Sequence, residues 1–181
     1  MQRIDLTTME EGGAAERHER ADAAANRALI LQTAETLFAE RGVANVCMAE
    51  IAEAAGVGKG TLYRRFANKA ELCLSLMDRQ MADFQAAMLD RFRVQTAEGV
   101  AYLEQLARFL EALVIFTESH SPLLVEVARG DLLHSEQRLK LPHFWQYMTV
   151  SVLLRSAARR GEVDHELDLD YLGEALLAPL E

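Results

Sequence analysis

Helical periodicity is the feature that most constrains the fold of this chain. Apolar residues recur every three to four positions along most of the 181-residue sequence. No stretch shows the sustained alternation of apolar and polar residues that a half-buried β-strand needs. Proline, which interrupts helices, occurs only three times, at Pro122, Pro142 and Pro179. The pattern therefore predicts an all-α protein.

The composition indicates a globular protein. If the protein binds nucleic acid, it does so through a local contact surface. Half of the residues are hydrophobic, 26% are charged, and the formal net charge is -9. No apolar run approaches the roughly 20 residues that span a bilayer, and Glu10, Glu11 and Glu16 lie where a secretory signal has its apolar core. We therefore expect a cytoplasmic protein with no membrane partner. The net negative charge argues against a protein that binds nucleic acid along its whole surface. A single local contact face is compatible with this charge.

The pattern divides the chain into three segments. Residues 1–21 mix Glu, Arg, Gly and Ala without a consistent apolar stripe, which predicts a flexible N-terminal tail. Residues 22–68 carry the patterns of three helices. Residues 69–181 carry a long helix followed by several others. We expect the second segment to form a small helical domain and the third to form a larger one.

The second segment has the spacing of a helix-turn-helix. Its first predicted helix begins at Asn26, an N-cap, and stops before Gly42. The next two helices are predicted at 48–55 and 59–66, and the sequence GVG separates them. Two short helices joined by a glycine-containing turn present the second helix to the major groove of DNA.

The third segment predicts helices at about 69–92, 100–118, 122–133, 142–160 and from 169 onward. Asn68 is placed to cap the first of them. The polar stretch HSEQRLK, which precedes the 142–160 helix, could be a loop or an extension of that helix.

The stretch GVGKGTLYRRFANK concentrates four basic side chains and no acidic one. On a helical wheel, Leu62 and Phe66 share one face and Arg64 lies on the opposite face with Gly60 and Thr61. The inward pair would anchor the helix, and the outward group could approach base edges. Tyr63 and Arg65 would flank it and grip phosphates. A short charged helix is often only a solvated face, but the turn and the inward pair favour a DNA interface.

Two sequence runs carry a family resemblance. The run RALILQTAETLFAERG, followed by MAEIAEAAGVGKGTLYRRFANKAEL, resembles the DNA-binding domain of TetR-type transcriptional repressors over about fifty residues without an insertion. The matching positions, in the family's order and spacing, are Phe38, Gly42, Ile51, Ala52, Ala55, Gly56, Val57, Gly60, Thr61, Leu62, Tyr63, Phe66 and Lys69. Chance agreement with the family motif at so many fixed positions is very unlikely.

The resemblance implies DNA contacts from Arg27, Lys59, Thr61, Tyr63 and Lys69. It also implies a C-terminal helical domain that forms a homodimer and holds a small-molecule inducer. A twofold dimer reads two half-sites, so we expect a palindromic double-stranded DNA operator. With the outward helix face included, the predicted DNA-binding residues are Arg27, Lys59, Gly60, Thr61, Tyr63, Arg64, Arg65 and Lys69.

The sequence departs from the family pattern at two caps. Cys47 replaces the Thr or Ser that usually caps the second helix, and Asn45 could serve instead if the helix begins earlier. Gly58 stands where the family often has Ser. The stretch RGEVDHELDLDYLGEALLAPL resembles the end of some family members, whose last helix normally continues past the position of Glu181, so a longer native chain is left open.

The third segment supplies candidates for a ligand pocket and a dimer interface. Aromatic and methionine side chains suit an adaptable apolar cavity, although many of them will be ordinary core. The predicted ligand-binding residues are Met81, Phe84, Phe116, His143, Trp145 and Tyr147. The predicted dimer-interface residues are Leu153, Ala157, Tyr171, Leu172, Ala175 and Leu176. The alternative for the second set is the core of a single chain.

We find no sequence pattern for a catalytic site, a cofactor or a metal. Asp131 and His134 share a helical face, and His120 and His143 could lie near them, but no metal-binding motif supports this group. Cys47 and Cys73 are expected to pack in helices, with a redox sensor as the alternative. A helical protein-interaction adaptor with a vestigial helix-turn-helix is the rival function. The adaptor would not need the side chains of Thr61 and Tyr63 to face outward in order to bind its partner.

Overall fold

The computed structural model describes the backbone of residues 7–130, 136–164 and 166–180, and the side chains of 21–130, 144–164 and 166–179. Within these residues the chain forms seven α-helices and no β-strand, which confirms the predicted all-α fold. The helices are α1 (Thr7–Arg41), α2 (Met48–Ala54), α3 (Lys59–Arg65), α4 (Lys69–Ala97), α5 (Tyr102–Arg129), α6 (Glu136–Arg159) and α7 (Leu169–Leu177).

The chain forms two compact units that divide between Leu72 and Cys73, in the first turn of α4. The core of the N-terminal unit is built from the inward faces of its helices. Its buried apolar side chains include Ile30, Leu31, Ala34, Phe38, Val46, Met48, Ile51, Ala52, Leu62, Phe66 and Leu72. The apolar stripe that the sequence predicted for the first helix is therefore the stripe that α1 buries.

The first helix begins at Thr7, well before the predicted start at Asn26. The predicted start and the flexible tail were inferred from the lack of an apolar stripe. A helix needs such a stripe only where it packs against a core. Ala, Glu and Arg favour helix by propensity, and no proline interrupts the segment. Residues 1–6 lie outside the described part of the chain.

Side chains at the α1–α2 junction close one helix and open the next. Gly42 follows α1 with a φ of 79°, a left-handed conformation that glycine adopts without strain. Asn45 donates its Nδ2–H to the carbonyl of Arg41 at 2.8 Å, so it closes the end of α1. The proposal that Asn45 caps the second helix is therefore wrong, because Cys47 is the N-cap of α2. Cys47 is exposed rather than packed, whereas Cys73 is buried as predicted.

The turn between α2 and α3 is fixed by a Schellman motif. The Val57 N–H donates to the Ala52 carbonyl and the Gly56 N–H donates to the Glu53 carbonyl, each at 3.0 Å. Gly56 has a φ of 65°, which explains why a glycine stands there. The predicted helix break at this position is confirmed, and it sets the direction in which α3 begins.

In the C-terminal unit, α5 is one continuous helix where the sequence predicted two. Pro122 was expected to begin a helix but lies inside α5. Proline has no N–H to donate, so the helix loses a backbone hydrogen bond there. Nearby side chains add bonds: the Ser119 hydroxyl donates to the Ile115 carbonyl at 2.8 Å, and His120 Nδ1 lies 2.6 Å from the Phe116 carbonyl. These bonds lie in the turn that precedes the proline, and they do not replace the bond that an N–H at position 122 would have made to the Glu118 carbonyl.

The helix α6 begins at Glu136, before Pro142, so EQRLK extends it rather than forming a loop. Residues 131–135 are outside the described ranges. Asp168 caps α7, since its carboxylate accepts the Tyr171 N–H at 3.0 Å. An ion pair of 2.8 Å between Arg155 and Asp170 joins α7 to α6.

The core of the C-terminal unit combines α4, α5, α6 and α7. Its buried members are Met88, Leu106, Phe109, Leu113, Val150, Leu153, Leu154 and Leu177. None of the described helices combines the length and the apolar character needed to cross a lipid bilayer.

Candidate nucleic-acid interface

Two side chains fix the orientation of α3 in the N-terminal unit. Leu62 is completely buried, and Phe66, which follows the last turn of α3, is 1% exposed. The predicted inward pair is confirmed. Because these residues are four apart on a helix, burying both of them turns the opposite side of α3 to solvent.

The solvent side of α3 is what we call the α3 face, and it consists of Lys59, Gly60, Thr61, Tyr63, Arg64 and Arg65. Five of these residues are exposed and Thr61 is half-buried. Tyr63 keeps 50% of its surface exposed although it is a large aromatic side chain. The face carries three cations and no carboxylate. It can therefore offer charge, hydrogen-bond donors and a flat ring to an anionic partner.

Gly60 and Arg64 determine the shape of the α3 face. A Cβ atom at Gly60 would meet nothing within 4 Å, so the first turn of α3 is open above the backbone. Arg64 Nη2 donates to Thr61 Oγ1 at 3.3 Å. The side chain of Arg64 is thus held over the first turn.

Arg27 of α1 lies beside the end of α3. Its guanidinium carbon is 5.3 Å from the centre of the Phe66 ring, a cation–π contact in which the guanidinium covers the ring. Arg27 is itself exposed. The fold therefore brings this predicted contact residue to the C-terminal end of α3, although Arg27 and Phe66 are distant in the sequence.

The start of α4 carries Lys69, one of the predicted DNA-binding residues. Asn68 caps the helix as predicted, with its Oδ1 accepting the Glu71 N–H at 2.9 Å. The Glu71 carboxylate accepts the Ala67 N–H at 2.7 Å. The Ala67 and Glu71 N–H groups are therefore already bonded, and Glu71 adds a negative charge. What half-buried Lys69 offers a phosphate at this helix start is the charge of its side chain.

Glu50 is a structural residue that sequence reasoning missed. Its carboxylate accepts the Cys47 backbone N–H at 2.8 Å and an Arg41 guanidinium N–H at 2.6 Å. The Cys47 N–H, followed by Arg41, lowers the pKa of Glu50 to about 2. The carboxylate thereby links the end of α1 to the start of α2. The spacing of a cap residue and a Glu three positions later is the signal that could have identified it.

The predicted ligand residues fall in and around an aromatic cluster of the C-terminal unit. Phe84 lies 4.7 Å from Phe116 and 6.2 Å from Trp145, measured between ring centres. Phe109, which was not among the candidates, joins them at 5.6 Å from Trp145. Of the other candidates, Met81 and Tyr147 are half-buried, and the side chain of His143 is not among those described. The rings contact one another, so they form part of the core.

The predicted dimer-interface residues separate into two groups. Leu153 is 5% exposed and Ala157 is completely buried, so both belong to the core of a single chain. That placement corrects their prediction as interface residues, since helical spacing alone does not tell which apolar face meets the same chain. Tyr171 and Ala175 are exposed on α7.

Leu172 and Leu176 line an apolar groove of about 300 Å³ between α5, α6 and α7, which the sequence did not predict. The remaining lining residues are Leu103, Leu106, Ala107, Leu110, Leu154 and Val163. Among the described residues, no group of His, Cys, Asp and Glu side chains is arranged to hold a metal ion. Asp131 and His134 are outside the described residues.

Known proteins have sequences similar to that of the interface region. The model of "Bacterial regulatory proteins, tetR family" matches residues 30–76. The HTH-type transcriptional regulator SAR2658 of Staphylococcus aureus (strain MRSA252) is 34% identical over 112 residues, which cover 62% of this chain and 58% of the relative. The HTH-type transcriptional repressor BepR of Brucella suis biovar 1 (strain 1330) is 30% identical over 169 residues, covering 90% of this chain and 80% of the relative.

The chain belongs to the tetR family. A solved structure of a gamma-butyrolactone receptor (ArpA-like protein) has the same fold, with a TM-score of 0.56 and 26% identity, over 88% of this chain and 82% of the receptor. The likeness to tetR-family proteins thus extends from the α3 face into the C-terminal helices.

The Glu50 linkage predicts an acid-dependent loss of stability. Folding lowers the pKa of Glu50 from its ordinary 4.5 to about 2. Its contribution is therefore fully present above about pH 4.5 and is lost as the pH falls toward 2. Glu50→Gln should be less stable than wild type at pH 7, and the difference should shrink across this window. Urea unfolding followed by circular dichroism measures it. Glu53→Gln, an exposed change on the same helix, is the charge control, and an unchanged wild-type to Glu50→Gln difference between pH 5 and pH 2.5 would contradict the linkage.

Proposed function

We propose that this protein is a DNA-binding transcriptional repressor that acts as a homodimer on a palindromic operator and is released by a small-molecule inducer. The observation that carries the proposal is the α3 face, a cationic surface opposite the buried pair Leu62 and Phe66. Membership of the tetR family supports it, and so does the relative BepR, which is a transcriptional repressor.

The chemistry of the α3 face suits a docked α-helix in the major groove. Lys59 and Arg65 supply charge for phosphates, and Tyr63 supplies a hydroxyl and a ring. Arg27 and Lys69 add cations at the end of α3 and the start of α4. Because the whole chain is acidic, with a net charge of -9, DNA is repelled from most of the protein surface. Attraction then operates only in the orientation in which the α3 face meets the groove.

A homodimer follows from the size of the reading surface. One short recognition helix contacts too few base pairs for useful specificity, whereas two helices about 34–36 Å apart read successive major grooves. The exposed apolar side chains of α6 and α7 provide a surface for the second copy. Val152 of α6 is 55% exposed and Tyr171 of α7 is 66% exposed.

Release by an inducer would operate through the C-terminal unit, in the cytoplasm, where both the inducer and the operator are accessible. The aromatic cluster offers apolar area and the indole of Trp145. The gamma-butyrolactone receptor, which shares this fold, supports ligand binding by this protein. To shift the dimer from 99% competent to 99% incompetent for DNA, the inducer must prefer the second state by about 5.5 kcal/mol. The helix α4 runs from one unit into the next and is the natural connection between them.

DNA binding is tested by fluorescence anisotropy with a labelled fragment from upstream of the gene for this protein. Wild type should bind more tightly than it binds random DNA, and the affinity should fall steeply with salt. The Tyr63→Ala, Arg64→Ala double variant should bind the upstream fragment at least roughly tenfold more weakly than wild type, because it lacks an aromatic ring and a cation that reads a base. Arg93→Ala, which removes an exposed cation from α4 in the C-terminal unit, is the control and should bind like wild type.

Equal affinity of wild type and the double variant would contradict a role for the α3 face. Failure of wild type to prefer any sequence, in the upstream fragment or in a random DNA pool, would contradict operator binding. In that case an adaptor remains, and its partner binding should survive Thr61→Ala and Tyr63→Ala.

Gly60→Ala should change stability and DNA binding in opposite directions. Nothing within 4 Å obstructs a methyl group, so alanine should raise the free energy of unfolding through helix propensity. The gain should be at most about 0.5–1 kcal/mol, the value for a helix interior, because Gly60 lies in the first turn of α3. The same methyl group would stand between the backbone and DNA, so operator affinity should fall. Chemical denaturation and anisotropy on one preparation measure both quantities. A variant that is more stable and binds DNA as wild type does would show that the backbone does not approach DNA here.

Neighbouring residues of α6 should separate dimer formation from folding. Val152→Asp places a charge on an exposed position and should give a folded monomer in light scattering, with weakened operator binding. Leu153→Ala leaves a cavity in the core of a single chain and should cost about 2–5 kcal/mol of stability. A fully dimeric Val152→Asp protein would exclude that face from the interface.

A further inference from the structure

Arg64 is the only cation of the α3 face that is held in place by another residue of that face. Its Nη2 donates to Thr61 Oγ1 at 3.3 Å. Among the described residues, the side chains of Lys59 and Arg65 on the same face make no hydrogen bond and no ion pair. The three cations therefore differ in how much orientation they have before any DNA is present.

The sequence of α3 explains why Arg64 lies where it does. Side chains of a helix lean toward its N-terminus, so Arg64 extends over the turn that contains Gly60 and Thr61, four and three positions earlier. A Cβ atom at Gly60 would meet no atom within 4 Å, so the guanidinium of Arg64 does not contact that position. It is Thr61 Oγ1 that accepts a hydrogen bond from Arg64. The threonine at position 61 is thus the anchor.

The chemistry of a held guanidinium points to a base rather than to a phosphate. Arginine carries five N–H donors in a planar fork, so one bond to Thr61 leaves further donors available. In the major groove, guanine presents O6 and N7 side by side, and an arginine fork fits this pair in a bidentate contact. Such a contact depends on the orientation of the guanidinium, whereas a phosphate can be met from many directions. Fixing part of a long side chain in advance also reduces the entropy lost on binding.

We propose that Arg64 determines operator specificity by reading a guanine in each half-site, and that Thr61 is the positioning residue that orients its guanidinium. Lys59 and Arg65, which have no such anchor, contact phosphates. This assignment rests on the proposed function, because it concerns the same DNA-binding face.

The test begins with full-length wild-type protein and a random double-stranded DNA pool. Sequences retained by the protein should contain a guanine at a fixed position in each half-site. Dissociation constants are then measured on the selected site, on the same site with 7-deazaguanine at that position, and on random DNA. The modified base keeps its pairing but lacks the N7 acceptor.

Arg64→Lys keeps the charge and loses the fork. It should weaken binding to the selected site roughly 5- to 150-fold, the equivalent of one bidentate contact. Its affinity for random DNA and the salt dependence should stay close to wild type, because the number of cations is unchanged. 7-Deazaguanine should weaken wild type and have little further effect on Arg64→Lys. Arg65→Gln, by contrast, should weaken binding to both DNAs and reduce the salt slope.

Thr61→Val removes the anchoring hydroxyl with little change of shape. It should weaken binding to the selected site about 2- to 10-fold, the worth of one hydrogen bond, and reduce the preference for guanine. Thr61→Ser should restore both. Thermal unfolding checks that each variant is folded. If Thr61→Val is unstable, the comparison of Arg64→Lys with wild type decides by itself whether Arg64 reads a guanine.

The outcomes separate this assignment from the proposed function. If wild type selects a sequence and Arg64→Lys keeps the guanine preference, the assignment of Arg64 is wrong and operator binding stands. If Arg64→Lys loses the same factor of affinity for selected and for random DNA, Arg64 contacts phosphate instead of a base. If wild type selects no sequence, both the operator and its reading by Arg64 are refuted.

Discussion

The burial of Leu62 and Phe66 is the interaction on which the DNA-binding surface depends. Completely burying each of these side chains contributes about 1.5–3 kcal/mol, which is large for a helix as short as α3. An isolated helix of this length would not be stable in water. Because the two side chains lie on one side, their burial leaves the polar residues of α3 exposed on the other. The same packing that stabilises the helix thus orients the surface that contacts a partner.

Short-range hydrogen bonds hold the elements around α3 in position. The Schellman turn at Gly56 sets where α3 begins, and Asn68 caps the helix that follows it. Glu50 links α1 to α2 through Arg41 and the Cys47 N–H. These contacts involve exposed polar groups, so each contributes modestly. Together they restrict the angles between elements, which is what a surface that must fit a DNA groove requires.

The sequence predicted the features that depend on local pattern, and it was wrong where distant packing decides. The faces of α3, the break at Gly56 and the cap at Asn68 follow from spacing and backbone preference. The length of α1 did not, because a helix can continue by propensity without a buried stripe. Pro122 was misread as a helix start, because a proline inside a helix removes one backbone hydrogen bond and α5 continues through it. Leu153 was assigned to an interface because periodicity cannot tell a core face from an intermolecular one.

A site-specific photocrosslink would test most directly whether the α3 face meets DNA. The two tyrosines Tyr63 and Tyr171 are both exposed, one on α3 and one on α7. Each is replaced in turn by a photoreactive phenylalanine, and the protein is irradiated with labelled DNA that it has selected. The account predicts a covalent DNA adduct from position 63 and none from position 171. An adduct from position 171 without one from position 63 would contradict it.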